Sequence, residues 1–217
     1  MNSANTNDQK NLSGLYKMAT EYGVDMNSCS PEQQKLITAL FEQANYDALT
    51  GLKNRRAFNR SSEEKRDEVK GSALFLIDFD KFKHINDTYG HKAGDTVLHA
   101  ISKRLENTLR ASDEHPYRLG GDEFAVVAHG CDGERSGVIA QKIEACFDDP
   151  IAINDTLSLT VGGSVGYRFY PEGLEDGHFN EVDDLLYKRK MARRYESQSP
   201  FECAKVARDM TSHLLAL

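Results

Sequence analysis

Two short turns in this chain each present a pair of carboxylates: Asp78 and Asp80 flank Phe79, and Asp122 and Glu123 follow Gly120 and Gly121. No cysteine or histidine ligand stands beside either pair. Hard oxygen donors without softer partners favour Mg2+, which takes few protein ligands and completes its shell with phosphate and water. If the two turns converge, polyphosphate chemistry is the inference; if they do not, each is a solvated acidic turn. A basic run, Lys188, Arg189, Lys190, Arg193 and Arg194, falls within seven residues. It is either a phosphate-holding patch or the solvated face of a helix. The formal net charge of −7 repels nucleic acid and anionic membrane over most of the surface, so a phosphate ligand must meet a local basic patch.

The elements that must position these groups can be read from periodicity. Ser72 to Phe79, SALFLIDF, has the length and composition of a buried strand and runs directly into Asp78 and Asp80. Val97, Ile101, Leu105 and Leu109 recur every four residues and predict an amphipathic helix from about 93 to 110. Tyr117 to Leu119 and Phe124 to Ala128 read as two strands joined across Gly120-Gly121-Asp122-Glu123, where glycine permits positive φ. A further helix carries Val138, Ile139, Ile143, Cys146 and Phe147. Leu157 to Tyr170 is a strand region, and Val182 to Tyr195 is a helix bearing the basic run. Upstream, Ser30-Pro31-Glu32-Gln33 is a helix start with a capping box. The stripe Leu36, Ile37, Leu40, Phe41 and Ala44 that follows must pack on its own core or on a partner helix. Residues 1 to about 14, rich in Asn, Ser and Thr, are expected to be disordered. Phe201 to Leu217 reads as a helix with Val206, Met210, Leu214 and Leu215 on one side.

With 217 residues, the chain has room for one well-packed domain and a short extension. An apolar run such as Ala73 to Ile77, which none in the chain exceeds, is far below the roughly 18 residues of a membrane span. The polar start is not a signal peptide, so a cytoplasmic protein is expected. The four cysteines, Cys29, Cys131, Cys146 and Cys203, lie far apart with no CxxC pair, and neither zinc nor a disulfide is expected.

Three ordered motifs carry a resemblance. Tyr46-Asp-Ala-Leu-Thr-Gly-Leu-Lys-Asn-Arg-Arg56 resembles the entry motif of GGDEF domains. Asp78-Phe-Asp-Lys-Phe-Lys-His-Ile-Asn-Asp-Thr-Tyr-Gly-His-Lys-Ala-Gly-Asp95 looks like their metal and nucleotide segment, and Arg118-Leu-Gly-Gly-Asp-Glu-Phe124 is similar to the signature of that family. The resemblance covers 46 to about 196. It implies an α/β (α+β) fold with a central, five-stranded, mostly antiparallel sheet flanked by helices, akin to nucleotidyl cyclase and polymerase palms. It divides the chain into a disordered start and helical arm (1–45), a catalytic domain (46–196) and a C-terminal helical tail (197–217).

The same resemblance implies a diguanylate cyclase joining two GTP into cyclic di-GMP. Two Mg2+ ions, for which Mn2+ can substitute, would be held by Asp78, Asp122, Glu123 and the Phe79 carbonyl. Asp122 is also the implied proton acceptor, and Lys83 stabilises charge developing on phosphate. Asn86, His91 and Asp95 match the nucleotide readers. An Asp carboxylate can accept from guanine N1–H and the exocyclic amine together, which adenine does not offer, so GTP is expected over ATP. Gly120 and Gly121 let backbone approach the nucleotide. Lys190 and Arg194, one helical turn apart, align with residues holding the terminal phosphates. Each subunit holds one GTP, so an antiparallel homodimer is implied, and the arm around 31 to 46 is expected to help bring subunits together.

Arg110-Ala-Ser-Asp113 resembles the RxxD site at which cyclic di-GMP restrains the family, with one extra residue before Gly120. The family's closing Gly-Arg-Asn is here Arg193-Arg194-Tyr195, and the strand motif LTVGGSVG is unusually rich in glycine. Two rival readings are a catalytically dead nucleotide receptor, which need not retain Asp78, Lys83 and Asp122 together, and a cyclase of another dinucleotide, against which Asp95 argues.

Overall fold

A computed structural model describes residues 14–63, 71–109, 111, 113–175 and 177–196. The expected disorder at 1–13, the C-terminal helix after 200 and Arg110 lie outside the described residues. The fold is mixed: a five-stranded sheet of order β1-β3-β4-β2-β7 with helices on both faces. Its strands are β1 (Lys53–Asn54), β2 (Ser72–Phe79), β3 (Glu114–Gly120), β4 (Glu123–His129) and β7 (Gly163–Tyr170). A separate two-stranded ribbon pairs β5 (Ile151–Ala152) with β6 (Ser158–Leu159). Within the larger sheet only the short β1–β3 pair is parallel. The strand region expected over 157–170 is thus two elements, broken before Gly163.

β2 is the centre of the sheet, paired with β4 on one side and β7 on the other, which is why its sequence is almost continuously apolar. Its alternate residues serve two cores. Ala73, Phe75, Ile77 and Phe79 face a layer that includes α5 (His91–Thr108) and α6 (Gly133–Ala145). Val97, Ile101 and Leu105, the four-residue repeat of α5, are fully buried there. Leu74 and Leu76 face the other way, against Phe58 of α3 (Arg55–Glu63) and Val182 and Leu186 of α7 (His178–Glu196).

The N-terminal region forms a small helical unit of its own. Residues 14–21 are helical (α1), and α2 (Pro31–Asn45) begins at the expected capping box, with Gln33 N–H bonded to Ser30 Oγ and Ser30 N–H to Gln33 Oε1. The apolar stripe of α2 is split. Phe41 is buried with Leu15, Ala19 and Met26, and Ile37 packs on that cluster. Leu36 and Leu40, one turn apart, remain 61% and 56% exposed. The end of α2 is tied to the domain by Asn54, whose amide donates to the Ala44 carbonyl at 3.0 Å. Among the described residues no helix is long and apolar enough to cross a membrane.

Candidate functional site

The site lies where β2 leaves the sheet. Asp78 is the last residue in the row Leu74, Leu76, Asp78, so it faces the α7 side and sits 16% exposed at the edge of that core. Its cross-strand neighbours are Glu123 on β4 and Ser164 on β7. Gly120 pairs with Glu123, which leaves Gly121 and Asp122 as a two-residue turn immediately beside Asp78. Gly120 and Gly121 have φ of 143° and 52°, and the pairing register shifts between Arg118 and Gly120. These conformations suit glycine and aim the turn at the β2 exit. The two acidic turns therefore meet because their strands are sheet neighbours.

Phe79 points to the opposite face and anchors the strand end. Its ring stacks on Phe124 at 5.2 Å and meets Phe82 and Phe147 edge-on at 5.9 and 5.2 Å. Beyond Asp80 the chain reverses at Lys81, the non-glycine residue in the left-handed region (φ 57°) among those described. Such a conformation costs on the order of 1 kcal/mol and persists where its surroundings hold it. Here Asp80 N–H bonds to the Gly162 carbonyl at 2.8 Å, and the Lys81 carbonyl accepts from His84 N–H at 2.9 Å. The reversal starts α4 (Phe82–Tyr89), which carries exposed Lys83 and half-buried Asn86. Asn86 lies directly over Gly94 of α5, where any Cβ would collide with its side-chain oxygen. Gly94 so admits Asn86 against α5; exposed Asp95 is the next residue of that helix, and His91 is its first.

The electrostatics of the site call for a cation. Burial pushes the Asp78 carboxyl above its usual range, and the negative charges of Asp122 and Asp80 push the same way; the bond and charge of Lys190 offset them only in part. Lys190 Nζ lies 2.5 Å from Asp78 Oδ2, so its ammonium supplies positive charge at this carboxylate. The donor types suit Mg2+: the carboxylates of Asp78 and Asp122 and, one residue on from Asp78, the backbone carbonyl of Phe79, with no thiol or imidazole in the set. Among the described residues no three His, Cys, Asp and Glu side chains gather at metal-binding distance. Most ligands of such an ion would come from phosphate and water, as Mg2+ prefers.

Other expected residues take different partners. Asp80 is held as a structural clip: Ser164 Oγ donates to its Oδ1 at 3.0 Å, and Arg193 Nη1 donates to its Oδ2 at 3.0 Å and to the Gly163 carbonyl. Glu123 turns to Arg55, whose Nη2 lies 3.0 Å from its Oε2 while Arg55 Nε donates to the Leu119 carbonyl at 2.8 Å. Arg194 is exposed one turn beyond Lys190. Asp113, at the opposite end of β3 from the glycine turn, is paired with Arg135 at 2.9 Å, and Arg135 also bonds buried Glu114 at 3.0 Å.

Residues that sequence reasoning did not single out hold the hairpin in place. Asp47 Oδ1 accepts from Thr50 N–H and Thr50 Oγ1 at 2.9 and 2.7 Å and from Arg118 Nη1 at 2.8 Å. Arg118 then donates through Nε and Nη2 to the Gly121 carbonyl at 3.1 and 2.9 Å. A strut thus runs from the end of α2, through Asp47 and Arg118, to the residue before Asp122. Both residues lie inside the matched motifs, which was the available signal.

The glycine-rich strand is also accounted for. A Cβ at Gly162 would come within 2.7 Å of Asp80 Oδ2, and one at Gly163 within 2.5 Å of the Phe147 ring. At Gly166 it would meet the Leu186 backbone at 2.5 Å, so this glycine lets α7 approach the sheet closely enough for Lys190 to reach Asp78.

The family model "Diguanylate cyclase, GGDEF domain" matches residues 44–196. The chain belongs to this family. Diguanylate cyclase TpbB of Pseudomonas aeruginosa is 39% identical over 179 residues, which are 77% of this chain and 38% of that protein. The GGDEF domain of TpbB, solved alone, matches with a TM-score of 0.59 at 36% identity, covering 67% of this chain and 88% of that one. The cyclic di-GMP phosphodiesterase NbdA of the same organism is 39% identical over 158 residues, 71% of this chain and 19% of NbdA. Diguanylate cyclase SiaD of P. aeruginosa, solved with its activator SiaC, matches with a TM-score of 0.65 at 26% identity, covering 86% of this chain and 70% of that one. The chain spans less than half the length of the curated relatives TpbB and NbdA.

Proposed function

We propose that this GGDEF domain, residues 46 to 196, is a diguanylate cyclase that joins two GTP into cyclic di-GMP with release of two pyrophosphates, acting as a homodimer in the cytoplasm, where GTP is available. The observation that carries this reading is the meeting of the carboxylates Asp78 and Asp122 at adjoining strand ends, with Lys190 of α7 on Asp78. Mg2+, or Mn2+ in its place, held by Asp78, Asp122 and the Phe79 carbonyl, with Glu123 as a further carboxylate once it leaves Arg55, would supply charge neutralisation on the triphosphate.

The chain's own groups then have these roles. Asp122 accepts the proton of the ribose 3′-hydroxyl as that oxygen attacks the α-phosphorus of the GTP on the facing subunit. Lys83 stabilises the charge that develops on phosphate. Asn86, Asp95 and His91 read the nucleotide, Gly120 and Gly121 admit it, and Lys190 and Arg194 hold its terminal phosphates. The exposed pair Leu36 and Leu40 supports the arm as a contact between subunits. Asp113, with Arg110, remains our candidate for product inhibition, and a protein activator, such as SiaC is for SiaD, is compatible with the exposed α2 face.

The test is to incubate pure protein with GTP and Mg2+ and score pyrophosphate and cyclic di-GMP, with Asp122→Ala as control. Turnover by the parent chain, lost in the folded variant, is the expected result. Undiminished synthesis by Asp122→Ala refutes its role. No turnover by a folded dimer favours a second reading, a nucleotide-binding regulatory domain, for which the relative named as a phosphodiesterase is the supporting observation.

A further inference from the structure

The basic run of α7 does not act as one undivided patch. Val182, Leu186 and Lys190 recur every four residues along one side of the helix, so the apolar row packed on Leu74 and Leu76 continues into an ammonium packed on Asp78. The Lys190–Asp78 pair is partly shielded, with side chains 30% and 16% exposed. Lys190 therefore rests on a carboxylate that a divalent ion needs, and away from the phosphates it is expected to hold. An ammonium and a metal ion cannot share that carboxylate oxygen at close range without mutual repulsion.

Arg193 behaves differently. It stands where the resemblance expects glycine, and it bonds both Asp80 and the Gly163 carbonyl while Ser164 takes the other Asp80 oxygen. Gly162 leaves the space in which this clip closes. α7 is thus fastened to the β2 exit through Asp80 independently of Lys190. Its fastening through Gly166 and Leu186 is likewise unaffected by where the lysine points. Arg193 is an anchor, as is Arg189 through its pair with Glu144, whereas Lys190 is attached only by its tip.

We propose that Lys190 is an exchangeable internal counter-ion: it neutralises Asp78 in the nucleotide-free protein, yields that carboxylate to the entering divalent ion, and transfers its charge to the triphosphate. This rests on the metal-site reading given above and adds a coupling to it. Metal ion and nucleotide bind cooperatively because each removes the cost the other faces: the ion evicts the lysine, and the phosphate gives it a new partner. By linkage the effect is reciprocal. Arg193 keeps α7 in register during the exchange.

The test is Mn2+ binding, followed by the electron paramagnetic resonance of the free ion, to the full chain and to Lys190→Met, with and without a non-hydrolysable GTP analogue. Asp78→Asn locates the site. Without nucleotide, Lys190→Met should bind Mn2+ about tenfold more tightly than the parent, the scale of one partly shielded ion pair. The analogue should tighten Mn2+ binding in the parent by about tenfold more than in the variant. A lysine that merely stabilised the fold would give no such gain in affinity. Equal or weaker Mn2+ binding by Lys190→Met overturns the exchange while leaving the metal site standing. Parent protein whose Mn2+ binding is absent or indifferent to Asp78→Asn brings down the metal-site reading and the exchange with it. Lys190→Gln serves as the second variant and must show the same direction.

Discussion

Replacing Arg118 by lysine would keep its charge but remove the planar fork that spans two partners. Arg118 is 11% exposed and makes three bonds, one to Asp47 and two to the Gly121 carbonyl. A lysine can retain one of these, so about two hydrogen bonds are lost. At about 1 kcal/mol each, partly buried and charge-assisted, the fold loses roughly 2 kcal/mol. For a domain of this size that lowers the thermal midpoint by about 4–8 °C. The catalytic consequence should be larger, because the Gly121 carbonyl immediately precedes Asp122. A shift of about 1 Å in the Asp122 turn costs on the order of a hundredfold in turnover, seen in kcat more than in KM for GTP because Asn86 and Asp95 are untouched. Steady-state pyrophosphate release measures both constants. A double-mutant cycle with Asp47→Ala should give a coupling energy within the roughly 0.5–3 kcal/mol of contacting pairs. If Arg118→Lys retained its midpoint and its kcat within twofold, or if the cycle were additive, the strut would not be positioning the turn.

Three further outcomes are expected. Gly166→Ala places a methyl 2.5 Å from the Leu186 backbone, so α7 must shift; about 1–3 kcal/mol of stability should be lost in urea unfolding, and an unchanged midpoint would show that α7 is not closely seated. Burial opposes the ionisation of Asp47, but its bonds from Arg118 and Thr50 win and hold the carboxyl below its ordinary value of 3.8. A depressed folded pKa contributes stability that is fully present above the unfolded value and is lost as pH falls through the folded one. The stability gap between the parent and Asp47→Asn should therefore be widest near neutral pH and narrow on acidification below about pH 4; a gap independent of pH would contradict the pairing. Replacing exposed Leu36 and Leu40 together by serine should leave the thermal midpoint within about 1 °C yet weaken self-association in sedimentation, and an unaltered dimer would rule out that face as the subunit contact.

Much of the framework was legible in the residues alone because its causes are local. The segment Ser72 to Phe79 had the length and composition of a buried strand, the four-residue repeat of α5 the period of a helix, and two glycines before Asp122 allowed the tight turn that forms. The family, too, followed from motifs of contiguous residues. Which carboxylate meets which cation did not follow, since it depends on contacts between distant parts of the chain. Asp47 and Arg118 are 71 residues apart, and Arg193 is 113 residues from Asp80. The acidic turns looked alike in sequence, yet sheet order set Asp78 beside Asp122 and gave Asp80 to Ser164 and Arg193. The stripe of α2 read as one face, and packing against α1 divided it. Periodicity fixes the side of an element on which a residue lies; only the closing of the layers decides what waits there, because long polar side chains choose among several partners of similar energy and the backbone distances make the choice.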